Sequence, residues 1–346
     1  MNWTSIKLLS AQAALAPSQG CVFAQLTQKT ERQTKQGKPF LELQFADTSA
    51  TITLKIWDNS PFYEQASVIQ VEECFELSAQ WQQNAYGMDA SQLSARPLTP
   101  SETDLLFTGD ADLLAKQEAD WQTITQALQS ITDPRLNKLC ALTLELHAPR
   151  YRRAAAARGF HHARRGGLVE HVAGMLRATD ALCHAYPQLN RDLIVAGAFF
   201  HDSGKMWENN YPEQSLSMPY SELGELMGHI TLGIELINSI WKQMMNSPEA
   251  EDWKQLQPSS GQVRLHLLHL IASHHGEIAF GSPVVPKTPE AMMLHYIDNI
   301  DAKLEMFAGG YETSPELGAR VYQRKAPLQG NLVTPLPAFD MANEQK

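Results

Sequence analysis

Polar and apolar positions alternate along PFLELQFAD (Pro39–Asp47) and again along ATITLKIWD (Ala50–Asp58), with the turn-like DTSA between them. A period of two marks strands with one buried face. CFELSAQWQQ continues the alternation from Cys74, and NAYG offers the next turn. Several short strands between residues 20 and 96 predict a small β-barrel. RPLTPSETDLLFTGD (Arg96–Asp110) is rich in Pro, Thr and acids and reads as a linker. From Leu113 onward the period becomes helical. TPEAMMLHYIDNIDAKLEMF shows how such a helix begins, with Thr288 placed to cap and Pro289 at the first helical position. The expected organisation is a multidomain α and β chain: a β-barrel over 1–97, a linker over 98–112, an all-α domain over 113–325 and an irregular tail over 326–346.

The longest apolar run, Leu193–Phe200, is followed at once by His201, Asp202 and, three residues on, Lys205. Charged groups against a core need compensation by an ion pair, a cap or a metal. Other helices carry comparable residues. His171 lies on the stripe Leu168, Val172, Met175 and Leu176. His229 stands beside Leu226, Leu232 and Leu236. His274 follows Val263, Leu267, Leu270 and Ile271, with His275 next to it, and Asp298 follows Leu294 by four and precedes Asp301 by three. A lone histidine on an apolar face is more often a satisfied core residue. Several beside an aspartate are not, because each ring nitrogen needs a partner. A divalent cation meets that need, and imidazole with carboxylate suits a first-row metal. Metal, rather than an ion pair, is therefore the expected compensation for Asp202.

Composition changes this picture only in part. The chain has 346 residues and a formal net charge of −10, which argues against a general nucleic-acid binder. The charge is uneven, however. Six acids face one base between Ser101 and Thr132. Between Asp133 and Glu170, eight bases (Arg135, Lys138, Arg150, Arg152, Arg153, Arg158, Arg164, Arg165) face three acids. That segment is either a solvated helical face or a track for phosphates. The barrel has nine acids and seven bases up to Pro100. An OB-type barrel would offer Phe40, Trp57, Phe62, Tyr63, Trp81 and Tyr86 for base stacking, although aromatics in small β domains are usually core. Four scattered cysteines form no metal-finger spacing and fit a reducing, cytoplasmic setting. No apolar run is long enough to span a bilayer, and Lys7–Gly20 reads as part of the first domain rather than a leader.

His171, His201-Asp202 and Asp298 match the H…HD…D signature of HD-domain metal-dependent phosphohydrolases. GKPFLELQFADTSATITLKIWDNSP, HHARRGGLVEH, LNRDLIVAGAFFHDSGK, GHITLG, SHHGEIAFGSP and EAMMLHYIDNIDAK add to the match. From about Lys38 to Lys303 the chain resembles the YhaM-type 3′–5′ exoribonucleases, which join an OB-fold domain to an HD domain in this order. The resemblance implies one metal held by His171, His201, Asp202 and Asp298, and a second by His229 and His274, with Asp202 bridging and His275 either a further ligand or a substrate contact. Manganese is the first choice of metal, ahead of Fe, Co, Ni or Zn. It also implies that His161, His162 and Arg164 line the entrance. Two cations would activate water and stabilise the leaving oxygen of an in-line displacement. Lys205 would neutralise a phosphate oxygen. Single-stranded RNA is then the expected substrate, guided by Arg152 and Arg153 and stacked on Phe40, Trp57 and Trp81, with single-stranded DNA as an extension. The rivals are a hydrolase of small or cyclic nucleotides and a nucleic-acid-binding protein with an inactive HD site. No membrane partner is expected, and the sequence leaves the oligomeric state open.

Overall fold

The alternating segments form one antiparallel sheet of five strands: β1 (Ser18–Gln33), β2 (Pro39–Ala46), β3 (Thr51–Trp57), β4 (Cys74–Asn84) and β5 (Gly87–Pro97), in the order β3-β2-β1-β4-β5. The structure is a computed structural model and describes residues 3–84, 87–109 and 111–337. β1 is long enough to pair on both sides, with Leu43 of β2 opposite Lys29 and Leu77 of β4 opposite Val22. A bulge between Leu26 and Gln28 bends it. β3 and β5 consequently approach each other, and the sheet curls into an OB-like barrel. Helix α1 (Ile6–Leu15), capped by Ser5, plugs one end with Ile6 and Leu9, and α2 (Tyr63–Val68) lies between β3 and β4. Along β3 the inward positions are Ile52, Leu54 and Ile56, and Trp57 falls outward.

Trp81 is in phase with Phe75, Leu77 and Ala79 on β4 and is fully buried, its Nε1 donating to the Gly20 carbonyl at 3.0 Å. The expectation that it stacks on a base is therefore corrected: neither ring face reaches solvent. Phe62 is likewise in the core. Phe40 is covered by Trp57, their rings 4.8 Å apart, so it backs the exposed Trp57 instead of offering its own face. Tyr86 lies outside the described residues.

The segment read as a linker is helical over α3 (Pro100–Thr108). Thr99 and Glu102 form a reciprocal capping box there, with Pro100 at the first position. The helical part follows with α4 (Ala111–Gln129), α5 (Pro134–Tyr151), α6 (Gly167–Ala185), α7 (Arg191–Phe200), the single turn α8 (Lys205–Glu208), α9 (Glu222–Met245), α10 (Ser260–Ser273) and α11 (Pro289–Thr313). α7 is the centre, packed by α4, α5, α6, α10 and α11. This position explains the apolar run: every residue from Leu193 to Phe200 is buried. Burying each of the two phenylalanines contributes roughly 1.5–3 kcal/mol.

The barrel meets the helical part at a small apolar cluster of Phe23, Ala46, Leu106 and Leu216. At its edge the buried Gln25 amide donates to the carbonyls of Glu72 and Gln214 and accepts from Leu216 N–H. Beyond α11 two short strands fall within the span expected to be all-α and one within the tail expected to be irregular, of which 338–346 lie outside the described residues. Short strands β6 (Glu316–Gly318), β7 (Val321–Tyr322) and β8 (Leu332–Val333) form an antiparallel sheet against the helix.

Candidate metal centre

Five helices deliver the site, and two of the histidines stand at a helix end. His171 lies in the second turn of α6. His201 is the C-cap of α7, and the turn between α7 and α8 brings Asp202 and Lys205 inward. His274 is the C-cap of α10, followed by His275, and Asp298 lies on α11. His229 follows a break in α9 at Gly228, whose φ of 66° and ψ of 158° leave the helix. The break corrects the expected stripe: Leu226, placed beside His229 by helical spacing, lies on the other side of it and is exposed.

One carboxylate organises the imidazoles. Asp202 Oδ2 is 3.2 Å from His201 Nε2 and 3.9 Å from His171 Nε2, and His171 Nε2 is 3.3 Å from Asp298 Oδ1. Asp202 Oδ1 faces the other way, 3.5 Å from His229 Nε2 and 3.7 Å from His274 Nε2. His229 Nε2 and His275 Nε2 are 3.3 Å apart. Two groups thus share Asp202 as their common edge.

The opposite ring nitrogens are already committed. His201 Nδ1 donates to the Ala198 carbonyl at 2.8 Å, His274 Nδ1 to Ile271 at 2.7 Å and His275 Nδ1 to Phe280 at 2.8 Å. His171 Nδ1 donates to Asp301 Oδ2 at 2.7 Å, and His229 Nδ1 is 2.9 Å from Glu208 Oε2. A carbonyl partner fixes the proton on Nδ1 and leaves Nε2 with a lone pair. Five lone pairs then converge with two carboxylates. Among the described residues, Asp202 Oδ1 and His274 Nε2 are buried without any hydrogen-bond partner. Orphaned acceptors of this kind are costly unless a cation meets them, so the donor set fits divalent metal.

Electrostatics agree. Burial pushes the Asp202 carboxyl up, but the His201 imidazole and the Lys205 ammonium beside it outweigh that and hold it well below the carboxylate range. Burial drives His274 well below the ordinary imidazole range, so it stays neutral. Burial opposes the charge on His171 too, yet Asp298 and Asp301 flank it and raise it to about 9. A cation at Nε2 would take the place of that proton.

Several expectations change here. Asp202 does carry an ion pair, to Lys205 Nζ at 2.6 Å, so compensation by metal alone is corrected, although Oδ1 still lacks a partner. His161 lines the cavity beside Asp202, Lys205, His275 and Asp298. His162 does not reach the entrance: it is buried behind His171 with Nε2 3.0 Å from Asp301 Oδ2. Arg164 is held by Glu170 and by Glu305 at 2.9 Å. Arg152 pairs with Glu118 at 2.6 Å over the Trp121 ring, and Arg153 with Glu213 and the Tyr211 carbonyl. Arg158 and Arg165 donate to carbonyls of residues 208–219. Arg153, Arg158 and Arg165 thus fasten this loop and are not free to track phosphates.

Glu208 and His295 lay outside the sequence expectations, and Asp301 stood there beside Asp298 without a role of its own. Asp301 and Glu208 anchor the imidazoles of His171 and His229. His295 lines the cavity and donates from Nδ1 to the His274 carbonyl at 2.8 Å.

Residues 168–303 match the family model of the HD domain. The chain is 32% identical over 287 residues to the 3′-5′ exoribonuclease YhaM of Geobacillus sp. (strain WCH70), covering 82% of each chain. It is 33% identical over 286 residues to the YhaM of Bacillus subtilis (strain 168), covering 80% of this chain and 82% of that one. The chain belongs to the YhaM family. Family membership accounts for the architecture, an OB-like barrel before a helical HD domain. It also puts the split imidazole cluster within the segment that matches the HD model.

Proposed function

We infer that this YhaM-family chain is a metal-dependent hydrolase that shortens single-stranded RNA from its 3′ end. The observation that carries the reading is Asp202, whose two oxygens face two separate sets of imidazole nitrogens. His171, His201, Asp202 and Asp298 would hold one divalent ion, and His229, His274 and His275 a second, with Asp202 between them. Two such ions would supply activation of water and stabilisation of the leaving oxygen; imidazole with carboxylate suits a first-row metal over magnesium, and manganese is the first choice by family resemblance.

The chain's own residues do the rest. Asp301 and Glu208 hold the rings of His171 and His229 in one tautomer, so that Nε2 points inward. Lys205, buried on Asp202, directs an ammonium at the same cavity and is placed to meet a phosphate oxygen once Oδ2 is engaged elsewhere. His161 and Lys303 line the entry. Burial lowers His161 to about 3, which favours it as a hydrogen-bonding group and not a cation. On the barrel, exposed Trp57 with Thr53 and Lys55 borders a cavity of about 560 Å³ and offers a stacking surface. Polarity from the 3′ end is taken from the relatives' name. Cleavage of single-stranded DNA would follow from the same phosphodiester chemistry. The four cysteines are all unpaired, which fits a reducing cytoplasm, and no described helix is long and apolar enough to cross a membrane.

The test uses a 5′-labelled single-stranded RNA with manganese and two proteins, the native chain and Asp202→Ala. A ladder receding from the 3′ end, absent with the variant, is expected. If RNA stays intact while a small phosphodiester is hydrolysed, the substrate is a small nucleotide and the nuclease reading fails.

A further inference from the structure

The cavity that contains Asp202 and Asp298, about 720 Å³ in volume, has one wall without metal-site residues. Pro327, Leu328 and Gln329 form it, and they belong to the segment that turns back after α11. The turn-back is built as structure. Glu316 pairs with Tyr322, and Tyr322 with Leu332. Leu332 is buried over Gly310, where there is no room for a Cβ. Lys325 Nζ donates to the Gly309 carbonyl at 3.2 Å and to Thr313 Oγ1 at 3.0 Å, and Tyr311 donates to the Val333 carbonyl at 2.9 Å. The segment is therefore strapped to the same helix that supplies Asp298.

Its position along that helix matters. Asp298, Ala302 and Met306 face the cavity at four-residue spacing, and the strap is anchored just beyond, at Gly309, Gly310 and Thr313. Eight helical residues rise about 12 Å, so the groove along α11 runs about 12 Å from Asp298 before the strap crosses it. At about 3.4 Å per stacked nucleotide, that depth takes about three nucleotides. A chain that continued along α11 would run into Pro327–Gln329.

We propose that the strap is an end-stop: it closes the cleft beyond the metal centre, so that the site accepts a chain terminus and rejects the interior of a strand. The idea rests on the RNA-hydrolysing reading above and explains why the same metal chemistry acts only at ends. The strap's wall, Pro327, Leu328 and Gln329, carries no charged side chain and none of the candidate metal ligands. Loss of that wall should therefore change where the enzyme cuts without abolishing diester hydrolysis.

The experiment compares linear and covalently circular single-stranded RNA of one sequence, with manganese, and bis(p-nitrophenyl) phosphate as a small diester. The proteins are the full chain, a chain ending at Ser314, and the full chain with Pro327→Gly, Leu328→Gly and Gln329→Gly. The native chain should degrade the linear RNA and leave the circle intact. Both variants should nick the circle at least about tenfold faster than the native chain, with small-diester hydrolysis within about threefold of native. A circle cut by the native chain overturns the end-stop. So does a triple-glycine variant that keeps small-diester hydrolysis but spares the circle. Loss of small-diester hydrolysis in both variants makes the strap purely structural and also overturns it. If the native chain hydrolyses the small diester but leaves linear RNA untouched, the nuclease reading itself fails and the end-stop falls with it.

Discussion

Gly204, inside the HDSGK stretch, faces the backbone of α9 at the point where His229 begins its helical turn. An added Cβ would sit 1.9 Å from the His229 carbonyl oxygen and 2.7 Å from its carbonyl carbon. Ordinary carbon–oxygen contacts begin near about 3.3 Å, so Gly204→Ala demands a shift of about 1.4 Å. The neighbour is backbone and cannot rotate away. Conformation does not require glycine here, because φ is −64° and ψ −18°, which alanine adopts freely. By chain entropy alone, alanine would stabilise by about 0.4–1 kcal/mol. Overpacking costs about 1–3 kcal/mol and should win. The sharper effect is on geometry. Moving His229 by about 1 Å breaks its approach to Asp202 Oδ1 and His275 Nε2, and a misplacement of that size costs on the order of 100-fold in rate. Gly204→Ala should therefore melt lower and shorten 5′-labelled RNA about 100-fold more slowly with manganese. Gly261→Ala is the control: it is near the start of α10, with nothing within 4 Å of the added carbon, and should leave the rate unchanged. A Gly204→Ala protein with native rate and equal or higher melting temperature would refute the steric argument.

Asp301→Asn should lower metal occupancy by about 10–100-fold in affinity, as expected for loss of a carboxylate behind a ligating imidazole, read by titrating manganese against both proteins. Trp57→Ala should keep the native melting temperature but weaken RNA binding by about 1–3 kcal/mol per stacked base in a direct binding assay, whereas Trp81→Ala should destabilise the barrel by about 3–5 kcal/mol. Manganese at a hundred times its dissociation constant should raise stability by about 2.7 kcal/mol per occupied site over chelator-treated protein, seen as a shift in thermal unfolding. Asp133 caps α5 and holds the buried Arg135. Burial raises its carboxyl, but the hydrogen bonds and charge of Arg135 outweigh that and lower it. A depressed folded value means stability that is present above the unfolded carboxylate value near about 3.9 and fades as pH falls through the folded value. Asp133→Asn should thus cost about 1.5–3 kcal/mol at pH 7, and the gap to the native protein should narrow below about pH 4 in chemical denaturation.

The candidate metal centre was legible because its His and Asp residues interrupt apolar helices, where a charged or imidazole side chain needs a partner. Asp301 and Glu208 were not, although both stand in view: Asp301 three residues after Asp298, and Glu208 six after Asp202. Their roles depend on which ring nitrogen faces which helix, and no one-dimensional period encodes that. Trp81 could have been placed correctly, since it shares the phase of Phe75 and Leu77, whereas Trp57 is out of phase with Ile52, Leu54 and Ile56. The capping box Thr99-x-x-Glu102 likewise announced a helix inside the supposed linker. The basic run misled for a different reason. Arginines that bind backbone carbonyls look the same in sequence as arginines that await phosphate. Only the fold shows that Arg158 and Arg165 hold the loop around Pro212 and Pro219.

The clamped Nδ1 atoms have one more consequence, for how the centre is filled in a living cell. With the rings held by carbonyls and carboxylates before any ion arrives, the ordering entropy of the cage is met during folding, and little of the shape is left for an incoming ion to dictate. Such a rigid nitrogen-rich cage follows the general affinity ranking, in which manganese stands below iron, cobalt, nickel and zinc. Occupancy is then set by supply. Protein produced in zinc-supplemented medium should be isolated with zinc, and the same chain from manganese-rich, zinc-starved cells with manganese, so that its working state reports the metal economy of its host.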